Sequence, residues 1–335
     1  MKRIFIKDKV RRKEEFQFFM HDFIDCCKVA GITSKPDLFP SYKWHIRAVC
    51  REILLKVYRF VHYVFPFLIQ RKKALMVCAN GVNIKDNLFP YYFGYEIVPM
   101  LWDVWPSTWE RMYDAFRLFD VKTVFVTASQ VADMINKETT VKAYWVPEGI
   151  DVSHYHKGRP LSERDKDVFE MGRQMKKYHE VLLKCYNAGG LHGYQTSNIN
   201  ADGTLNDKHV AFSNKELYAM MPQYKVMVCF PQCDTNPARG GNIETLTQRY
   251  WEAMLSGCIM IGRAPKELVD LIGYNPVVDV DWANPEDQLI DILRESSAYQ
   301  GLADKNYRAA QQFASWQSRM PMIKKYLQES GYLVL

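Results

Sequence analysis

The sequence contains no Cys-x-x-Cys pair, although eight cysteines are spread over its 335 residues. Structural zinc sites and thioredoxin-like redox centres need paired spacing of that kind, so neither is expected. Several of the cysteines stand inside apolar runs as small hydrophobes, which points to a reducing compartment. Cys229 and Cys233 beside Asp234 come nearest to a ligand set. They read more simply as one strand residue and one loop residue, and no metal is expected. Long uncharged apolar runs are also missing. Between residues 43 and 70, Arg51, Lys56 and Arg59 interrupt the run before the roughly 20 residues of a membrane span accumulate. The opening "MKRIFIKDK" has too short an apolar core for a secretory signal and is expected to form a first strand, Arg3 to Ile6, in a cytoplasmic protein. There is no repeat or low-complexity tract. No nucleic-acid-binding motif occurs, so nucleic acid is not an expected partner.

What is present is enough apolar material for two domains with separate cores, at 48% of residues. Strand-like segments at 74–80, 95–102, 122–128 and 141–147 alternate with helical patterns at about 106–118 and 129–137. That alternation predicts a parallel sheet in an α/β fold. The stretch "PEGIDVSHYHKGRPLSERDK", rich in Pro, Gly and charge, then breaks the pattern and reads as a linker. Beyond it strands are expected at 167–172, 190–197, 209–213, 225–231, 258–262 and 275–280. The expected domains are therefore 1–147 and 148–315, with a helix over 316–335 packing back toward the first.

The net charge of +6 is unevenly placed, because residues 1–73 hold ten more Lys and Arg than Asp and Glu. Over 43–70 the apolar Ile46, Val49, Ile53, Val57, Phe60, Val61 and Val64 fall on one arc of a helix. Arg47, Arg51, Lys56, Arg59 and His62 fall on the other. With Arg71, Lys72 and Lys73 following, residues 43–73 suit docking on an anionic membrane surface. A core helix with a solvated basic face is the alternative.

The most informative stretch is "GGNIETLTQRYWEAMLSGC", 240–258. Gly240 and Gly241 permit unusual backbone geometry, and Asn242 is a good N-cap, so a helix is expected from Ile243 or Glu244. On that helix Glu244 and Glu252, eight positions apart, would share a face at about 100° per residue. A helix N-terminus favours phosphate, and carboxylates beyond it favour hydroxyl donors. Phosphate with polyol suggests a sugar nucleotide.

Four segments resemble, in order, the group 1 (family 4 type) glycosyltransferases of bacterial polysaccharide biosynthesis. "WVPEGID" (145–151) is similar to their interdomain junction, "EMGRQMKKYHEVLLK" (170–184) to their Gly-Arg followed by Lys, and "KELYAMMPQYKVMVCFPQ" (215–232) to the helix and strand before the donor loop. Glu244 and Glu252 match their Glu-x7-Glu pair. The resemblance implies a GT-B architecture, two Rossmann-like doubly wound domains facing a central cleft. It implies a transferase acting on a nucleotide-diphosphate sugar with retention and without a metal or other cofactor. On the matching positions Arg173 and Lys177 hold the diphosphate, Glu252 the ribose, and Glu244 the donated sugar. Gly241 belongs to the donor loop, and Arg249 is an added cation that the usual pattern lacks.

In the first domain "PMLWDVWPSTW" stands where such enzymes place a His-Asp pair. Trp102 would replace the His, and Asp103 is the candidate base or sugar-binding carboxylate. Plainer readings stand beside these. Asp103 can be a cap or turn residue before Pro106, and Trp102, Trp105 and Trp109 can be core rather than an acceptor wall. Glu252 can be a surface residue paired with Arg173. The basic helix favours a lipid-linked glycan acceptor and peripheral attachment to the inner face of the cell membrane. A non-hydrolysing sugar-nucleotide epimerase and a catalytically silent binding protein are the rival functions.

Overall fold

The computed structural model describes residues 1–8, 18–36, 44–65, 71–89, 91–170, 172–197 and 212–334. The expected strand at 209–213 falls largely outside them. Two compact units are present: Met1–Pro147 with Trp316–Leu335, and Glu148–Ser315.

In chain order the first stretch holds β1 (Lys2–Lys7), α1 (Phe18–Val29), β2 (Ser34–Lys35), α2 (Trp44–Val64), β3 (Lys73–Asn80), α3 (Ile84–Leu88), β4 (Glu96–Trp102), α4 (Trp109–Leu118), β5 (Thr123–Val126), α5 (Ser129–Glu138) and β6 (Lys142–Trp145). The second unit holds β7 (Lys166–Glu170), α6 (Lys176–Asn187), β8 (Gln195–Thr196), α7 (Asn214–Met220), β9 (Tyr224–Cys229), α8 (Gln232–Thr235), α9 (Pro237–Gly240), α10 (Gln248–Leu255), β10 (Ile259–Gly262), α11 (Lys266–Ile272), β11 (Val278–Asp279), α12 (Pro285–Arg294) and α13 (Gln300–Phe313). The chain then returns to the first unit as α14 (Met320–Glu329) and β12 (Tyr332–Leu333).

Every strand pair in both sheets is parallel. Strands covered on both faces should read as unbroken apolar runs, and β4 does so from Ile97 to Trp102, all seven of its residues, Glu96 included, being buried. The first sheet runs β12-β1-β3-β4-β5-β6, with β2 also on β1. Its core is anchored by three mutually edge-on rings, Phe23, Trp102 and Trp316, at centroid distances of 5.0 to 5.9 Å. Trp102 and Trp105 are core, at 2% and 3% exposed, as the plainer reading has it, and so do not form an acceptor wall, while Trp109 is half-buried. The returning segment is pinned at its end by Tyr332, whose hydroxyl donates to buried Glu96 at 2.6 Å.

The second sheet runs β11-β10-β9-β7-β8 with apolar clusters on both faces. The chain passes between the units at Pro147 and Glu148, so the stretch read as a linker belongs to the second unit from Glu148 on, and each side of this junction is fixed inside its own unit. Arg319 donates to the Pro147 carbonyl at 3.1 Å in the first, and Trp251 to the Glu148 carbonyl at 2.9 Å in the second. Among the described residues no helix is long and apolar enough to cross a membrane.

Candidate functional site

In the second unit the chain leaves β7 to form β8 on one side and returns to form β9 on the other. Open α/β sheets bind ligands outside the carboxyl ends of the strands at such a reversal, because the two diverging connections leave a crevice there. Gly172 and Arg173 follow β7 at this point, and residues 230–247 follow β9 and lead into α10.

Arg249, in the first turn of α10, lies across the backbone that follows β7. Its Nη1 donates to the Arg173 carbonyl at 3.3 Å, and a Cβ added to Gly172 would stand 2.3 Å from its Nη2. Gly172 has φ +78°, a conformation that glycine adopts without the Cβ penalty. Glycine thus serves twice here, by permitting the turn and by admitting the guanidinium. Glu252, three residues after Arg249, sits on the same helix face. It is half-buried and accepts a hydrogen bond from the Tyr155 hydroxyl at 3.2 Å. Burial pushes its carboxyl above the ordinary range, partly offset by the Arg249 charge and the Tyr155 hydrogen bond. The other face of α10 is locked by Tyr250 and Trp251, both fully buried.

A second group fixes the end of β7 to α6. Glu170 is 1% exposed, and its Oε2 is shared by the Tyr194 hydroxyl and His179 Nδ1, each at 2.6 Å. His179 lies in the first turn of α6, so this contact sets the angle at which the helix leaves the Gly172-Arg173 turn.

Glu244 is placed differently from expectation. The helix begins at Gln248 with Thr247 as its N-cap, so Asn242 is not its N-cap and Glu244 lies in the loop before the helix. The shared-face geometry of Glu244 and Glu252 does not occur. The residues before Gln248 instead follow a tertiary anchor: Arg263, after β10, donates to Glu244 Oε1 at 2.5 Å and to both oxygens of Asp234 at 2.7 and 2.8 Å. Glu244 Oε2 accepts the Lys266 backbone N–H at 3.1 Å. Gly241 closes α9 at φ 55°, and its N–H bonds to the Pro237 carbonyl at 2.9 Å.

Lys177 lies in the first turn of α6, and its ammonium sits 4.4 Å from the Trp282 ring centroid, a cation–π contact. Asp103, in the first unit, directly follows β4 in left-handed backbone at φ 51° and is half-buried. The position before Pro106 is capped by Trp105, so Asp103 is not that cap.

The fold thus sets the Arg249 guanidinium against the Arg173 backbone carbonyl and near Glu252, and ties Glu244 to Arg263. Tyr155, Arg263 and the Glu170–His179–Tyr194 group were not singled out from sequence. The Gly-Arg pair did mark Gly172, but nothing local links Tyr155 to a residue 97 positions away.

No family model and no curated protein matches the sequence. Solved structures match along nearly the whole chain. A sucrose-phosphate synthase from Thermosynechococcus elongatus is similar with a TM-score of 0.61, over 98% of this chain and 99% of that one, at 10% identity. The Anabaena protein HepE, solved in complex with UDP and glucose, gives 0.59 over 98% and 100%, also at 10% identity. AviGT4, a glycosyltransferase involved in avilamycin A biosynthesis, gives 0.53 over 98% of each chain at 11% identity. At these identities the likeness is one of fold, and that fold is GT-B, built from two Rossmann-like α/β units.

Proposed function

We propose that this chain is a glycosyltransferase that takes its sugar from a nucleoside diphosphate sugar bound by the second unit. The observation that carries this reading is the placement of Arg249, with Glu252 beside it, across the Gly172-Arg173 backbone at the β7/β9 reversal. Departure of a nucleoside diphosphate concentrates negative charge on its phosphates, and fixed cations there stabilise that charge more in the transition state than in the ground state. In this reading Arg249 and Arg173 hold the diphosphate, with Lys177 at the rim beside Trp282. Glu252 accepts hydrogen bonds from the ribose hydroxyls, and Tyr155 orients it. Glu244 serves by anchoring the donor loop through Arg263 rather than by accepting sugar hydroxyls, and Gly241 lets that loop turn.

Transfer proceeds with retention, the leaving diphosphate assisting the acceptor hydroxyl on the same face, so no protein nucleophile or metal is needed. Asp103 is the acceptor-side carboxylate. Its support is its place at the carboxyl end of β4 in a backbone conformation that non-glycine residues rarely adopt. The acceptor is a glycan, lipid-linked in polysaccharide assembly at the cytoplasmic face of the membrane.

Thermal melting with UDP, GDP, CDP and ADP tests the donor. A ligand at 100 times its Kd stabilises the native state by about 2.7 kcal/mol, and one of the four should do so. Incubating the full chain with the matching sugar nucleotide, with and without a glycan acceptor, then separates transfer from epimerisation, because an epimerase converts the donor alone. Failure of all four nucleotides to raise the melting temperature at millimolar concentration would overturn the proposal.

A further inference from the structure

From Ile53 onward α2 carries an exposed apolar stripe. Among the described residues twelve large hydrophobic side chains are exposed, and seven of them lie between Ile53 and Phe65. Ile53, Val57, Phe60 and Val64 recur at helical spacing and form one stripe, exposed at 62%, 55%, 66% and 42%. The helix is held from its other side. Leu55 is fully buried, and Tyr58 packs edge-on against Tyr92 and Phe93 at centroid distances of 5.0 and 4.8 Å. The sequence pattern offered either a basic amphipathic helix docking on an anionic membrane or a core helix with a solvated basic face, and from Ile53 onward the structure turns the apolar stripe outward with Lys56 and Arg59 exposed beside it. A stripe of this size is not left in water without a function or a cost to solubility.

We infer that this face of α2 docks on an anionic lipid surface, with Ile53, Val57, Phe60 and Val64 entering the boundary between headgroups and acyl chains. Charge decides between this occupant and a second copy of the chain. Among the described side chains of this stretch Lys56, Arg59, Lys72 and Lys73 are exposed against one exposed acid, Glu52, while Arg71 is taken up by Asp120 and the Tyr92 ring. Two copies meeting stripe to stripe would set like charges against each other, whereas an anionic surface neutralises them. The helix lies on the membrane and does not cross it, since its apolar positions form one stripe rather than a full cylinder. The inference is independent of the donor proposed above.

The test is co-sedimentation of the full chain with vesicles of phosphatidylcholine doped with phosphatidylglycerol, against phosphatidylcholine alone, at low salt. Binding should require the anionic lipid and fall as salt rises. Lys56→Gln with Lys72→Gln should lower the partition about 25-fold, roughly fivefold per cation. The exposed triple variant Val57→Ser, Phe60→Ser and Val64→Ser should abolish it while keeping the wild-type melting temperature, because none of the three is part of the packed side. No binding by the wild type overturns the inference. So does a wild type that sediments as a dimer in solution and becomes monomeric in the triple variant, which would assign the stripe to self-association.

Discussion

Gly172→Ala probes the donor site through its most crowded position. The added Cβ would meet Arg249 Nη2 at 2.3 Å, well inside any real carbon–nitrogen contact, in a residue held at φ +78°. The backbone cost of a side chain in the left-handed region is about 1–2 kcal/mol. Relief of the clash requires the guanidinium to move, since it is the flexible partner, and this breaks its 3.3 Å bond to the Arg173 carbonyl. If Arg249 contacts the diphosphate, its displacement forfeits a charge-assisted hydrogen bond of about 1.5–3 kcal/mol, a loss of about 12- to 160-fold in nucleotide affinity. Calorimetric titration of the preferred nucleoside diphosphate measures this directly. A double-mutant cycle with Arg249→Ala separates displacement from general damage: once Arg249 is absent, Gly172→Ala should cost stability but almost no further affinity. A Gly172→Ala protein that binds as tightly as wild type, or losses that simply add across the cycle, would refute the placement of Arg249.

Glu252→Gln should become more stable relative to wild type as pH rises from about 4.5. The folded carboxyl binds its proton more tightly than the unfolded one, so wild type alone loses stability as pH climbs through the folded pKa; parallel melting curves for the two proteins across pH 4–8, a range set by ordinary carboxyl titration, would contradict this. Arg263→Met should destabilise the second unit by about 1–2 kcal/mol, three charged hydrogen bonds discounted for a side chain 36% exposed, and should speed proteolysis within 233–247; an unchanged urea midpoint and cleavage rate would show the anchor to be idle. Trp316→Ala should cost the first unit about 3–5 kcal/mol, because the side chain is fully buried against Phe23 and Trp102; calorimetry with an unaltered endotherm would rule that out.

The sequence by itself determined the α/β class, because apolar runs separated by amphipathic helices have few packings other than parallel sheets with helical cover. It also offered Arg173, Lys177, Gly241, Glu244, Arg249, Glu252 and Asp103 as candidate site residues, with Gly172 inside the Gly-Arg motif, since short motifs at strand ends report local backbone needs. It misplaced the start of α10 because local capping preference favoured Asn242, while the loop before Gln248 is tied to Arg263 and Glu267, contacts that no nearby residue supplies. Glu244 answers to Arg263, 19 positions on, and Glu252 to Tyr155, 97 positions back. The reversal between β7 and β9 likewise exists only once strands are ordered in space. On α2 the periodicity separated apolar from basic positions, but from Ile53 onward the structure exposes the apolar stripe together with Lys56 and Arg59, because Leu55 and Tyr58 make the packed side; Tyr58 meets Tyr92 and Phe93, a long-range contact that outweighs the usual preference for burying the apolar side.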